Sequence, residues 1–240
     1  MKKVLVTGAD RGLGAGIVRG LLAAGHRVFA GRFLTDWPEL DELKAQYPEA
    51  LTIVSLNVGD TASVQAAAEA VARETDSLDV LINNAGIASR SGMNGIRKEQ
   101  DYEAMLETYN VNALGGLRMV EAFLPLLDRG QGKRLCFVSS EAGSVARSHR
   151  KEMFGYCMSK SALNMGISIL FNDLREQDYT FRVYHPGWVR SYMSGQKNTR
   201  GDLEPDEAAV PAIAYFMNEN GAVDEDRLVL RDYLGQEWPW

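Results

Sequence analysis

The chain has 240 residues, 45% hydrophobic and 24% charged, with only 7 prolines and a formal net charge of −6. Such a chain buries a sizeable core, which excludes a disordered protein, a collagen and a coiled coil; its acidic balance argues against a nucleic-acid partner, because phosphate backbones need a basic face. The two cysteines, Cys136 and Cys157, form neither a disulfide framework nor a metal-binding spacing, and no apolar run nears the roughly 18 residues of a membrane span, so the expectation is a soluble, cytoplasmic protein with no metal and no membrane partner.

Taken in chain order, short apolar runs alternate with longer helical patterns. Val4–Thr7 reads as a buried strand, and Gly12–Ala24 carries Leu13, Ile17, Leu21 and Leu22 at helical spacing. Val28–Gly31 is a second strand, followed by a short helix over Leu40–Gln46 and a third strand over Leu51–Leu56. Thr61–Glu74 is an alanine-rich helix with Asp60 or Thr61 as N-cap. A fourth strand, Leu78–Ile82, precedes one long helix, with room for a kink, over Gln100–Leu127. Then come a strand at Arg134–Ser139, a long helix at Tyr156–Gln177, a strand at Phe181–His185, a helix at Glu204–Asn218 and a last strand at Arg227–Arg231. Strands alternating with helices predict parallel βαβ units. The expected architecture is an α/β, Rossmann-type, doubly wound parallel sheet of about seven strands with helices on both faces, built as a single domain over 1–240. Ser191–Leu203 lacks periodicity, and a loop of that length in a compact domain is read as a substrate lid.

Thr7-Gly8-Ala9-Asp10-Arg11-Gly12-Leu13-Gly14 lies between the first strand and the first helix. A helix N-terminus there offers free N–H groups and a partial positive charge to a pyrophosphate, and glycine lets the backbone approach it. The generic dinucleotide spacing fails, because Ile17 stands where its third glycine would be. Three further motifs follow: Asn83-Asn84-Ala85-Gly86, Tyr156-Cys157-Met158-Ser159-Lys160, and Pro186-Gly187-Trp188-Val189-Arg190-Ser191. In this order the four resemble the TGxxxGxG, NNAG, YxxxK and PGxVxT motifs of the short-chain dehydrogenase/reductase family, over nearly the whole chain. Tyr156 through Met165, His185-Pro186-Gly187-Trp188-Val189 and the terminal Pro239-Trp240 are similar to the branch with C-factor-like proteins and sniffer-type carbonyl reductases.

Tyr156 and Lys160 are four apart, so on a helix they share a face. A nearby ammonium is expected to lower the phenol pKa and make the pair a tunable proton donor and acceptor. The resemblance adds Ser140, the second serine of a pair, to orient a carbonyl, with Ser139 facing away because strand side chains alternate. It also adds Asn112 to continue a proton relay from Lys160, with Asn110 as the rival. The stretch between Ser140 and Tyr156 runs a few residues longer than usual, and the surplus Ala146–Met153 carries Arg147, His149, Arg150 and Lys151, read as a solvated loop, with a flank of the substrate mouth as the alternative.

For the cofactor, the resemblance assigns Gly8, Asp10, Arg11, Gly12, Leu13 and Gly14 in the first turn, and Asn57 and Val58 after the third strand. Asn84, Ala85 and Gly86 follow, then Tyr156 and Lys160, and then Pro186, Gly187, Trp188, Val189 and Ser191. After the second strand, where NAD-selective members place an acid, the chain reads Ala30-Gly31-Arg32-Phe33. Arg32 and Arg11 suit a ribose 2′-phosphate by charge-assisted hydrogen bonds, which predicts NADP(H); Asp36 is the alternative if the strand ends later. Met153, Trp188, Tyr192 and Met193 are the candidate substrate lining. The expected function is NADP(H)-dependent reduction of a ketone or aldehyde, with a small-molecule carbonyl or alcohol as substrate. The expected assembly is a homodimer or homotetramer through the helices 100–127 and 156–177. The competing reading is a non-catalytic dinucleotide-binding protein used for signalling or redox sensing.

Overall fold

In the computed structural model, which describes residues 1–89, 94–218 and 226–240, seven parallel strands and one antiparallel strand form a single sheet. The strands are β1 (Lys3–Val6), β2 (Arg27–Arg32), β3 (Leu51–Ser55), β4 (Val80–Asn83), β5 (Arg134–Val138), β6 (Thr180–His185), β7 (Leu230–Asp232) and β8 (Glu237–Trp238). Their spatial order is β3-β2-β1-β4-β5-β6-β7-β8. The order reverses between β1 and β4, and the carboxyl ends of those strands bound the crevice where open α/β sheets take their ligands.

The central strands are continuous apolar runs because both faces of the sheet are covered. Alternation sends Leu5, Phe29, Leu81, Phe137 and Phe181 to one face, where Phe123 and Ile167 meet them. It sends Val4, Val6, Val28, Ile82, Val138 and Tyr184 to the other, against Ile17, Leu21 and Phe216. The first face packs α3 (Thr61–Glu74), α5 (Gly115–Leu127) and α6 (Phe154–Leu174); the second packs α1 (Gly12–Ala23), α2 (Glu39–Gln46) and α7 (Pro205–Phe216). Caps fix several helix starts. Asp60 accepts from Ala62 N–H, which decides between the two expected caps of α3, and Glu204 with Glu207 forms a reciprocal capping box on α7.

Two expectations are corrected. The predicted helix over Gln100–Leu127 is three pieces: α4 (Tyr102–Tyr109), a π-helical turn over Asn110–Leu114, and α5. The wide turn admits an inward polar residue, as such turns often do at functional sites. The predicted strand at Arg227–Arg231 is displaced to Leu230–Asp232, where it pairs with β6, and the chain then folds back as β8. Arg227 instead reaches the Glu237 carboxylate, 2.5 Å and 2.6 Å from its two oxygens. Among the described residues, no helix is long and apolar enough to cross a membrane.

Candidate active site

The glycine turn follows directly from β1 and enters α1. Gly8 has φ +60° and Gly12 φ +57°, a backbone region that L side chains resist. A Cβ on Gly14 would stand 2.1 Å from the Gly8 carbonyl oxygen and 2.6 Å from Asn84 Nδ2, and one on Gly8 would stand 2.8 Å from Ala85 Cα. The turn is therefore closed to side chains on its inner side. Asn84 Nδ2 donates to the carbonyls of Thr7 and Gly8, and Thr7 Oγ1 accepts from the N–H groups of Asn84 and Ala85. Thr7, to which the sequence reading gave no role, thus staples the turn to the end of β4. Buried Asp10 accepts from Phe33 N–H and ties the turn to the end of β2.

No side chain caps α1, whose N-cap is Arg11, and no acidic residue lies in its first turn. An uncapped helix start behind side-chain-free backbone suits the pyrophosphate of a dinucleotide. At the far end of the crevice, β2 ends at Arg32, so Asp36 lies beyond the strand. Arg32 Nη2 donates to Asp41 of α2 at 2.7 Å, while its buried Nε has no protein partner. The Arg11 guanidinium lies against Trp37 and Tyr192 and donates to the Tyr192 carbonyl. After β3, the Asn57 side chain accepts from Gly59 N–H, and buried Val58 packs where a Cβ on Gly115 would intrude.

The polar side chains meet where β5 ends, α6 begins and the π-turn passes. Ser140 accepts from Ala142 N–H and lies beside the Tyr156 phenol, whose ionisation its hydrogen bond assists. Ser139 faces the other way, donating to Asn164 at 2.6 Å. Tyr156 occupies the first turn of α6, and Lys160 one turn later directs Nζ to the Val138 carbonyl at 3.0 Å, with Nζ 5.9 Å from the Tyr156 ring centroid. Asn112 is buried in the π-turn; its amide exchanges two hydrogen bonds with Ile87 and donates to Ser159 Oγ at 3.0 Å. Ser159 in turn donates to the Tyr156 carbonyl. The rival Asn110 points outward to Gly59 and Arg118. Gly86 leaves the approach open: a Cβ there would stand 3.3 Å from Asn112 Oδ1 and 3.7 Å from Lys160 Nζ.

Burial sets the protonation states. Tyr156 is pushed up to about 12, chiefly by loss of solvation, with Ser140 opposing. Lys160 is pushed down to about 8 by the same cause. The sequence expectation that the ammonium would lower the phenol pKa is therefore corrected, because desolvation disfavours both charged forms. Tyr156 is a neutral phenol with a proton to give. Its neighbour Cys157 is pushed up by burial and stays a thiol.

The loop expected to be a lid follows the fourth motif. Pro186 and Gly187 follow β6, and Gly187 has φ +77° with the Tyr233 ring packed where a Cβ would be. Val189 forms an isolated bridge with Leu203, which closes the base of the 191–203 loop. Ser191 lies next to Gly12, and the Met193 carbonyl accepts from Ala88 N–H. Of the candidate lining residues, Met153 shares a small cavity of mixed lining with Ala88, Met105, Thr108, Gly155 and Tyr156. Trp188 is 51% exposed with Arg200 over its ring, and Tyr192 turns away to Arg11. Arg150, from the surplus stretch, pairs with Glu141 and also reaches Met153 Sδ. The structure thus places that stretch beside Ser140 and Tyr156.

Comparison with known proteins agrees with this geometry. The sequence profile of the short chain dehydrogenase family matches residues 2–202. C-signal of Myxococcus xanthus is 36% identical over 166 residues, covering 69% of this chain and 95% of that protein. NADPH-bound carbonyl reductase from chicken fatty liver superposes with a TM-score of 0.87 at 32% identity, over 100% of this chain and 99% of that one. Carbonyl reductase Sniffer of D. melanogaster gives 0.88 at 25% identity, covering 100% of both chains.

Proposed function

The chain belongs to the short-chain dehydrogenase family, and on that premise we propose that it is an NADP(H)-dependent oxidoreductase that reduces a ketone or aldehyde to the alcohol, with Tyr156 as the proton donor. One observation carries the reading: a neutral phenol, a serine hydroxyl and a buried lysine converge at the end of β5 and the start of α6, facing the crevice of the glycine turn. The NADPH bound by the chicken fatty liver carbonyl reductase supports the same cofactor here. That cofactor supplies a hydride when bound; this chain's residues do the rest.

Residues 8–14 and the α1 N-terminus hold the pyrophosphate. Arg32 and Arg11 take the 2′-phosphate. Asn84 and Thr7 keep the turn in register, and Lys160 holds a ribose hydroxyl. Ser140 donates to the substrate carbonyl oxygen and fixes it within reach of Tyr156. The phenol gives its proton to that oxygen as negative charge develops there, a role worth roughly 10²–10⁴-fold for a positioned acid. The Ser140 hydrogen bond to the phenol stabilises the resulting phenolate, and Lys160, with Nζ 5.9 Å from the ring centroid, adds positive charge nearby.

Tyr156→Phe tests the assignment: it should bind NADPH as the parent does and lose turnover of a carbonyl panel by about a hundredfold or more. Turnover near the parent rate would remove Tyr156 from the chemistry. The likeness to C-signal favours a second reading, a dinucleotide-binding signalling protein without turnover. NADPH binding with no carbonyl reduced across a broad panel would support it. The reading includes self-association through the α4 and α6 faces, where Tyr102, Leu106, Met158, Met165 and Ile169 are each more than 60% exposed; light scattering giving a monomer at micromolar concentration would exclude it.

A further inference from the structure

We propose that Trp37 and Tyr192 are positioning residues that preset Arg11 for the cofactor's 2′-phosphate, and that through this stack the phosphate end of the cofactor holds the lid 191–203 closed. The inference rests on the proposed use of NADP(H). It concerns three segments far apart in sequence: the glycine turn, the loop after β2, and the lid.

The Arg11 guanidinium carbon lies 5.0 Å from the Trp37 ring centroid and 5.5 Å from that of Tyr192. The two rings meet edge to face with centroids 4.6 Å apart. Arg11 Nη2 also donates to the Tyr192 carbonyl at 3.2 Å. A guanidinium is planar and weakly hydrated, so it stacks on aromatic faces without losing its in-plane donors. It has five N–H groups, and one of them goes to the lid carbonyl. Among the described residues no carboxylate pairs with Arg11, whereas Arg32 is already bonded to Asp41. Arg11 is therefore the cation of the pair that meets an incoming phosphate with its charge uncompensated and its side chain already fixed.

The stack is also a lid contact. Ser191 sits against Gly12, and the Met193 carbonyl accepts from Ala88 N–H at 3.2 Å. Tyr192 anchors the lid between these points, at Arg11. A phosphate bound by the remaining in-plane donors leaves both ring contacts and the Tyr192 carbonyl bond intact. It removes the alternative in which Arg11 swings into solvent and frees Tyr192. Fixing a side chain before its ligand arrives raises affinity by lowering the ordering cost. By linkage, whatever the closed lid adds to phosphate binding, the phosphate adds to lid closure.

The test uses 2′,5′-ADP, which has the 2′-phosphate and no nicotinamide, against 5′-ADP. The readouts are binding by calorimetry and the rate of trypsin cleavage in the lid after exposed Lys197 and Arg200, followed by mass spectrometry. In the parent protein, 2′,5′-ADP should slow lid cleavage by about fivefold, the low end of ordinary coupling, and saturating 5′-ADP by less than about twofold. Trp37→Leu should lose that protection and bind 2′,5′-ADP about fivefold more weakly, with 5′-ADP affinity unchanged. Trp37→Phe, which keeps an aromatic face, should restore both; folding of each variant is checked by its melting curve. Equal protection by the two nucleotides, or full protection in Trp37→Leu, overturns the inference while the cofactor reading stands. A parent protein that binds 2′,5′-ADP no better than 5′-ADP overturns both.

Discussion

Lys160 should make the ligand-free protein less stable at neutral pH than at alkaline pH, and Lys160→Met should abolish that dependence. Lys160 is 4% exposed, its ammonium's hydrogen bond is to the Val138 carbonyl, and among the described residues no carboxylate pairs with it. Its pKa falls from 10.5 to about 8 on folding. A depressed lysine means that the unfolded chain binds more protons between those two values, so unfolding free energy rises as pH climbs through that window. Applying linkage to the two values, the burden is about 3 kcal/mol at pH 7 and falls by about 2 kcal/mol by pH 9.5. Methionine matches the side chain's length and carries no charge, but it leaves the Val138 carbonyl without its donor, at a cost of about 1–3 kcal/mol. At pH 7 the two effects largely offset. The difference in pH dependence remains: relative to the variant, the parent should gain about 2 kcal/mol between pH 7 and pH 9.5. Urea unfolding of both proteins at the two pH values measures it, since the subtraction cancels titrations common to both. A difference that stays constant within about 0.5 kcal/mol, or that changes with the opposite sign, would refute the claim that Lys160 is a desolvated, unpaired cation.

Three other outcomes are expected. The kcat/KM for carbonyl reduction should hold up to about pH 8 and decline above it as Lys160 discharges, while Tyr156, at about 12, keeps its proton throughout; a profile flat to pH 9.5 would mean that the lysine charge is not used. Gly14→Ala should damage dinucleotide binding far more than Gly12→Ala. The first drives a Cβ to 2.1 Å from the Gly8 carbonyl, whereas the second meets Ser191 Cβ at an ordinary 3.6 Å and has only a positive φ to bear, a strain of about 1–2 kcal/mol; similar losses measured by calorimetry would contradict this ranking. Arg32→Ala should weaken NADPH by roughly tenfold or more, as loss of a charge-assisted hydrogen bond implies, and leave NADH within about twofold. Asp41→Asn, which removes the carboxylate that Arg32 now holds, should tighten NADPH; equal effects on both cofactors would remove Arg32 from phosphate recognition.

The sequence by itself determined the layers of this protein. Runs such as Val4-Leu5-Val6 and Leu135-Cys136-Phe137-Val138 have no polar face, so only a sheet covered on both sides accommodates them, and helices spaced between them force parallel pairing. The glycine turn was equally legible, because Gly8, Gly12 and Gly14 cluster between a strand pattern and a helix pattern, and the structure puts Gly14 where no side chain fits. What the tertiary structure decided was which polar atoms meet. Nothing local makes the helix pattern over 100–127 open into a π-turn; its inward Asn112 is held by Ile87 and by Ser159 on another helix. Nothing local reveals that Tyr156 and Lys160 both move toward their neutral forms, since that follows from burial by neighbours distant in the chain. The stack of Arg11 with Trp37 and Tyr192 likewise exists only because folding brings three loops to one rim. Periodicity records how each segment meets water, and so it specifies elements and layers. Pairings between distant side chains leave no such periodic trace, and the assembled fold alone fixes them.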